Sequence, residues 1–111
     1  MPVINKTTFE ELKQISGEDF INELIDAFLE DAPNMIAAMQ AALGTKDVES
    51  FRRNAHSLKS NANTFGAAEL SALAKELEDM GKESNLNIGN RLEVLKKAFG
   101  KVAEALKGMR A

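Results

Sequence analysis

Cysteine, tryptophan and tyrosine are absent from these 111 residues, and histidine occurs once. Without cysteine there is no disulfide, no thiol nucleophile and no cysteine-based zinc site. With no Trp or Tyr and only six Phe, the aromatic platforms on which nucleic-acid bases stack are largely missing. Excess positive charge is missing too: the net charge is −3, and no Lys/Arg cluster forms a stripe that could track a phosphate backbone, so nucleic-acid binding is not expected. No apolar stretch nears the ~20 residues that span a bilayer, and the start Met1-Pro2-Val3-Ile4-Asn5-Lys6 lacks the apolar run of a signal peptide. No membrane segment and a cytoplasmic location are therefore expected. A Gly-rich phosphate loop and kinase-type nucleotide motifs are also lacking, so the chain is not expected to phosphorylate itself from ATP.

What remains is an ordinary globular composition, 44% hydrophobic and 28% charged, in a length that suits one domain covering residues 1–111. No segment alternates apolar and polar residues in the manner of a half-buried strand, whereas apolar residues recur at helical spacing almost throughout. Thr7 with Glu10 has the form of a capping box and opens a short helix carrying Phe9 and Leu12. A long helix over residues 18–43 follows, with Phe20, Leu24, Ile25, Phe28, Ala32, Ile36 and Met39 on one face and a kink or short break expected near residues 31–33, where Pro33 removes a backbone donor. Asp47 is a suitable N-cap for a helix reaching Phe65, with Gly66 as its C-terminal turn. A fourth helix over residues 67–80 stops at Gly81. After a polar loop over residues 83–87, the last helix carries Ile88, Leu92, Leu95, Phe99, Val102 and Leu106. Gly100 inside it reflects either close packing or simple tolerance. Short connections between long amphipathic helices predict an all-α fold: an antiparallel up-down four-helix bundle with a short additional N-terminal helix.

Function must then be sought in particular side chains. At about 100° per residue, the third helix gathers Phe51, Ala55, Leu58, Ala62 and Phe65 on its inner side and turns His56 away from their centre. Arg52, Lys59, Ser60 and Asn63 fall on the same face as His56, one or two turns away. The bland reading is a solvated helix face with an incidental histidine.

The run Ala55-His56-Ser57-Leu58-Lys59-Ser60, followed by Phe65-Gly66-Ala67, resembles the phosphorylation motif of histidine-containing phosphotransfer (HPt) domains, in which the histidine is followed by an apolar residue and then lysine. The resemblance extends to Leu24-Ile25-Asp26-Ala27-Phe28-Leu29-Glu30-Asp31-Ala32-Pro33 before the motif and to the helix from Leu70 to Glu78 after it. One departure is Ser60, where many members carry glycine. The resemblance implies that His56 accepts a phosphoryl group on Nε2 from a receiver-domain phosphoaspartate and passes it to another receiver aspartate, within two-component signalling. Imidazole is a competent nucleophile near neutral pH, and Lys59, one turn away, is the candidate for neutralising phosphoryl charge.

Arg52, Ser60 and Asn63 are candidates for contacts to the phosphoryl group or a partner, and Met35 and Ala38 of the second helix for partner contacts, with core-edge packing as their bland alternative. The partners implied are response-regulator receiver domains, including those of hybrid sensor histidine kinases. The Mg²⁺ needed for transfer would come with the receiver, and no metal or cofactor is expected in this chain. No carboxylate stands beside His56 in the motif. The rival class is a non-catalytic helical adaptor that binds receivers without accepting phosphate. A carboxylate-bridged metal bundle ranks last, because it needs a Glu-x-x-His motif on each of two helices and the sequence has one histidine.

Overall fold

The computed structural model describes residues 3–110. It contains the helices α1 (Lys6–Ser16), α2 (Glu18–Thr45), α3 (Val48–Thr64), α4 (Ala68–Lys82) and α5 (Arg91–Met109), and no strand among the described residues. None of these helices is long and apolar enough to cross a membrane. α2 packs on α3, α3 on α4, α4 on α5 and α5 back on α2, while among the described residues the backbones of the diagonal pairs stay further apart, which is the ring of an up-down four-helix bundle. The buried apolar residues of all five helices form one core cluster.

Local signals account for most of the helix ends. Asp47 Oδ1 accepts from the Ser50 amide at 3.1 Å and opens α3, as its capping preference predicts. The N-cap of α1 is Asn5 rather than Thr7: Asn5 Oδ1 accepts from the Thr8 amide at 3.1 Å. Asn5 wins because its own amide is also held across the fold, donating to the Gly66 carbonyl at 2.9 Å. That bond lays α1 over the α3–α4 turn. Gly66 has φ +72° there, and a Cβ would stand 3.0 Å from side-chain carbons of Asn5 and Thr8, so only glycine fits.

Four further expectations are corrected. α2 runs unbroken through Pro33, which lies on its exposed side while Ala32 and Ile36 stay buried in the core on either side of it. The packing of that stripe compensates for the single lost backbone bond. Phe20 is half-exposed, and the neighbouring Ile21 takes the inward place. The last helix starts at Arg91, so Ile88 is buried from the preceding turn rather than from a helix. Gly81 does not end α4, which continues to Lys82.

The reason lies in the seam between α3 and α4, the most extensive helix pair of the bundle. Ser71, Ala74, Glu78 and Gly81 are buried along one line of α4. Ser71 Oγ donates to the Lys59 carbonyl at 3.3 Å, and a Cβ on Gly81 would stand 3.1 Å from Arg52 Cβ and 3.3 Å from Arg52 Cα. Small side chains thus let the two backbones approach closely. Gly100 is the contrasting case, with nothing within 4 Å of an added Cβ. Gly100→Ala is expected to raise stability by about 0.5–1 kcal/mol through helix propensity alone. Gly81→Ala, despite the same intrinsic gain, is expected to lower it by pushing α4 off α3. Urea unfolding of both variants checks the pair, and a stabilised Gly81→Ala would show the seam to be loose.

Candidate functional site

His56 sits in the middle of α3 between the fully buried Ala55 and Leu58, so the helix that carries it is anchored immediately on its inner side. Its own side chain is 54% exposed. Lys59, one turn on, is only 22% exposed, because it lies along the α3–α4 seam with its stem covered.

Beneath both side chains lies a carboxylate. Glu78 of α4 is 3% exposed, and its two oxygens are shared out: Oε2 stands 2.6 Å from His56 Nδ1, and Oε1 accepts from Lys59 Nζ at 2.8 Å. Burial by itself pushes the Glu78 carboxyl up, but the hydrogen bonds from Lys59 and His56, together with their charges, outweigh it and hold the group below the usual carboxylate range. Glu78 is therefore ionised at neutral pH. A carboxylate at Nδ1 requires the ring proton on that nitrogen, which leaves the lone pair on Nε2. Nε2 is bonded to nothing among the described residues. The arrangement is a histidine fixed in one tautomer by a buried carboxylate, which is in turn charge-balanced by a lysine.

The motif offers no carboxylate beside His56, and the fold brings one from outside it: Glu78 arrives from 22 residues further along the chain. One signal for it was legible: an acidic residue in register with Ser71, Ala74 and Gly81 on the inner line of a helix, where a charge is out of place without a partner.

The structure brings His56 and Lys59 together through Glu78, and the other candidates less so. Arg52 is turned toward Glu49, whose carboxylate it meets through both Nε and Nη2, and that pairing, with the more distant charge of Glu78, raises its already high pKa. Ser60 and Asn63 are exposed on α3, and the Ser60 carbonyl accepts from Thr64 Oγ1 at 3.1 Å. Met35 and Ala38 are half-buried on α2. The Met35 sulfur lies 3.9 Å from Asn61 Nδ2, which ties it to α3 and to the core edge. Among the described residues no group of three or more His, Cys, Asp or Glu side chains could hold a metal ion.

The site is one half-exposed histidine on a helical bundle, braced from below by a buried carboxylate. The family profile of the Hpt domain matches residues 23–109. A phosphorelay protein of Vibrio harveyi, LuxU, is 29% identical over 92 residues, covering 75% of this chain and 81% of its own. The crystal structure of histidine-containing phosphotransfer protein B from Pseudomonas aeruginosa PAO1 superposes with a TM-score of 0.88 at 24% identity, over 98% of this chain and 95% of that one, and so shares its fold. The chain belongs to the Hpt domain family, the histidine phosphotransfer proteins of phosphorelays.

Proposed function

We propose that His56 Nε2 accepts a phosphoryl group from the phosphoaspartate of a receiver domain and returns it to the aspartate of another. The observation that carries this is the 2.6 Å contact between Glu78 and Nδ1, which leaves Nε2 as the nucleophilic nitrogen on a half-exposed ring. In the forward step the Nε2 lone pair attacks phosphorus, the bond from phosphorus to the donor carboxylate breaks, and that carboxylate leaves with the electron pair. The imidazole keeps its Nδ1 proton and becomes a phosphorylated cation facing the Glu78 carboxylate.

The retained proton is what keeps the group transferable. A ring that lost it would have to leave as imidazolate in the return step, which is a far poorer leaving group. Glu78 therefore serves both directions by holding one proton in place. Glu78 is 3% exposed beneath the His56 and Lys59 side chains, so its burial keeps it from activating water against the phosphoryl group. The transition state is charge-rich and loose, and Lys59 supplies positive charge at the rim while the receiver supplies Mg²⁺.

Incubation of the chain with a phosphorylated receiver and Mg²⁺ is expected to place an acid-labile, base-stable phosphate on His56; no label at any receiver concentration would refute the reading. Partners include free-standing response regulators and the receivers of hybrid sensor histidine kinases, and a transfer-rate profile across receivers would rank them. Lys59→Ala is expected to slow transfer by about tenfold, because one charge-stabilising group at a half-open site is removed. It should also cost stability, unlike the loss of an exposed lysine, since Glu78 is left buried without its ammonium partner. Single-turnover transfer and thermal melting measure the two effects separately.

A further inference from the structure

A third cation reaches Glu78. Lys82 Nζ, on the last turn of α4, stands 3.9 Å from Glu78 Oε2, one helical turn from the carboxylate, with a side chain 56% exposed. Among the described residues Lys82 has no other ion pair, whereas its neighbour Lys75 is bound to Asp79 and Arg52 to Glu49. Lys82 is thus poised near the carboxylate without being committed to it.

Phosphorylation of His56 changes what Lys59 faces. The ammonium now lies between a buried carboxylate and a doubly charged phosphoryl group, and the stronger anion draws it outward. Any such displacement lengthens the 2.8 Å bond to Glu78 and leaves a carboxylate that is 3% exposed with only the phosphorylated ring as counter-charge, and that ring's positive charge is offset by its own phosphoryl group. We propose that Lys82 moves in on Glu78 as Lys59 moves out to the phosphoryl oxygens, so that Lys82 is a positioning residue for phosphotransfer that acts through Glu78. This rests on the phosphoryl-carrying role of His56. The exchange keeps Glu78 ionised and on Nδ1 in both states of the histidine, with Lys59 and Lys82 taking turns as its counter-ion.

Phosphoramidate tests the exchange without any receiver. Nε2 attacks its phosphorus, the P–N bond breaks and ammonia leaves, so donor recognition does not enter. Lys82→Gln is expected to slow labelling by about fivefold, the size of one pairwise coupling, and Lys82→Arg to restore it. In a Glu78→Gln background the Lys82→Gln change is expected to have no effect, because a neutral amide needs no counter-ion. ¹⁵N NMR of the ring supplies the second readout: unphosphorylated Lys82→Gln keeps the wild-type Nδ1 signal, and only its phosphorylated form loses the signature of the Glu78 hydrogen bond. An equal slowing in both backgrounds would show Lys82 acting directly on the phosphoryl group and overturn the proposal, as would an unchanged rate. Failure of the wild-type chain to label at all would instead overturn the role of His56.

Discussion

Replacing His56 by glutamine is expected to reduce phosphoryl acceptance to background while leaving the bundle folded. The two halves of that result have separate causes. His56 is the only histidine, and the acid-labile, base-stable phosphate expected of a P–N bond has no other nitrogen of this kind to form on. Its side chain is half exposed, so little apolar surface is lost, and the glutamine amide can still donate to the Glu78 carboxylate in place of Nδ1. The stability change should stay within about 1 kcal/mol, the range for substitution at an exposed, hydrogen-bonded position. Transfer from a phosphorylated receiver and thermal melting, run on the same preparation, check both halves. Label persisting in the variant would place the phosphoryl group elsewhere.

Glu78→Gln should produce the next largest effect, a fall in transfer of about 10- to 100-fold, comparable to the loss of a group that orients a reacting histidine or metal ligand. The amide can present its NH₂ or its carbonyl to Nδ1, so the ring no longer has one preferred tautomer, and the phosphorylated ring loses the anion that holds its proton. The stability consequence depends on pH in a definite direction. Because the folded chain holds the Glu78 carboxyl below its ordinary value, the unfolded chain takes up that proton first as pH falls. The stabilisation is therefore fully present above the ordinary glutamate range near ~4.3 and is lost as pH falls through the lower value of the folded state. The stability gap between wild type and Glu78→Gln should close as pH falls below the ordinary glutamate range, about 4.3. Urea unfolding across that range measures it. A gap that stayed constant into acid would mean that the ionised carboxylate is not what the network holds.

Much of the fold was legible because it is set by neighbours along the chain. The period of Phe51, Ala55, Leu58 and Ala62 placed the inner face of α3 and hence the outward turn of His56, and Asp47 marked where that helix begins. The errors fall where a distant contact overrides the local preference. Asn5 displaced Thr7 as a cap because the chain at Asn5 is bonded to Gly66. α2 continued past Pro33 because its buried stripe holds both halves, and α4 continued past Gly81 because that glycine serves the approach to α3.

The sequence by itself determined five helical segments' worth of amphipathic pattern, the family-like motif around His56 and Lys59, and the absence of any thiol. Only the tertiary structure decided that Glu78 lies under both motif residues, which nitrogen of His56 remains free, and which cation stands ready behind Lys59. The physical reason is range. Helix periodicity and capping act over three or four residues and are written in consecutive side chains. The meeting of His56 and Glu78 depends instead on how closely and in what register α3 and α4 pack. That register is set jointly by Ser71, Ala74 and Gly81 against the opposite helix, and no local pattern on either helix specifies it.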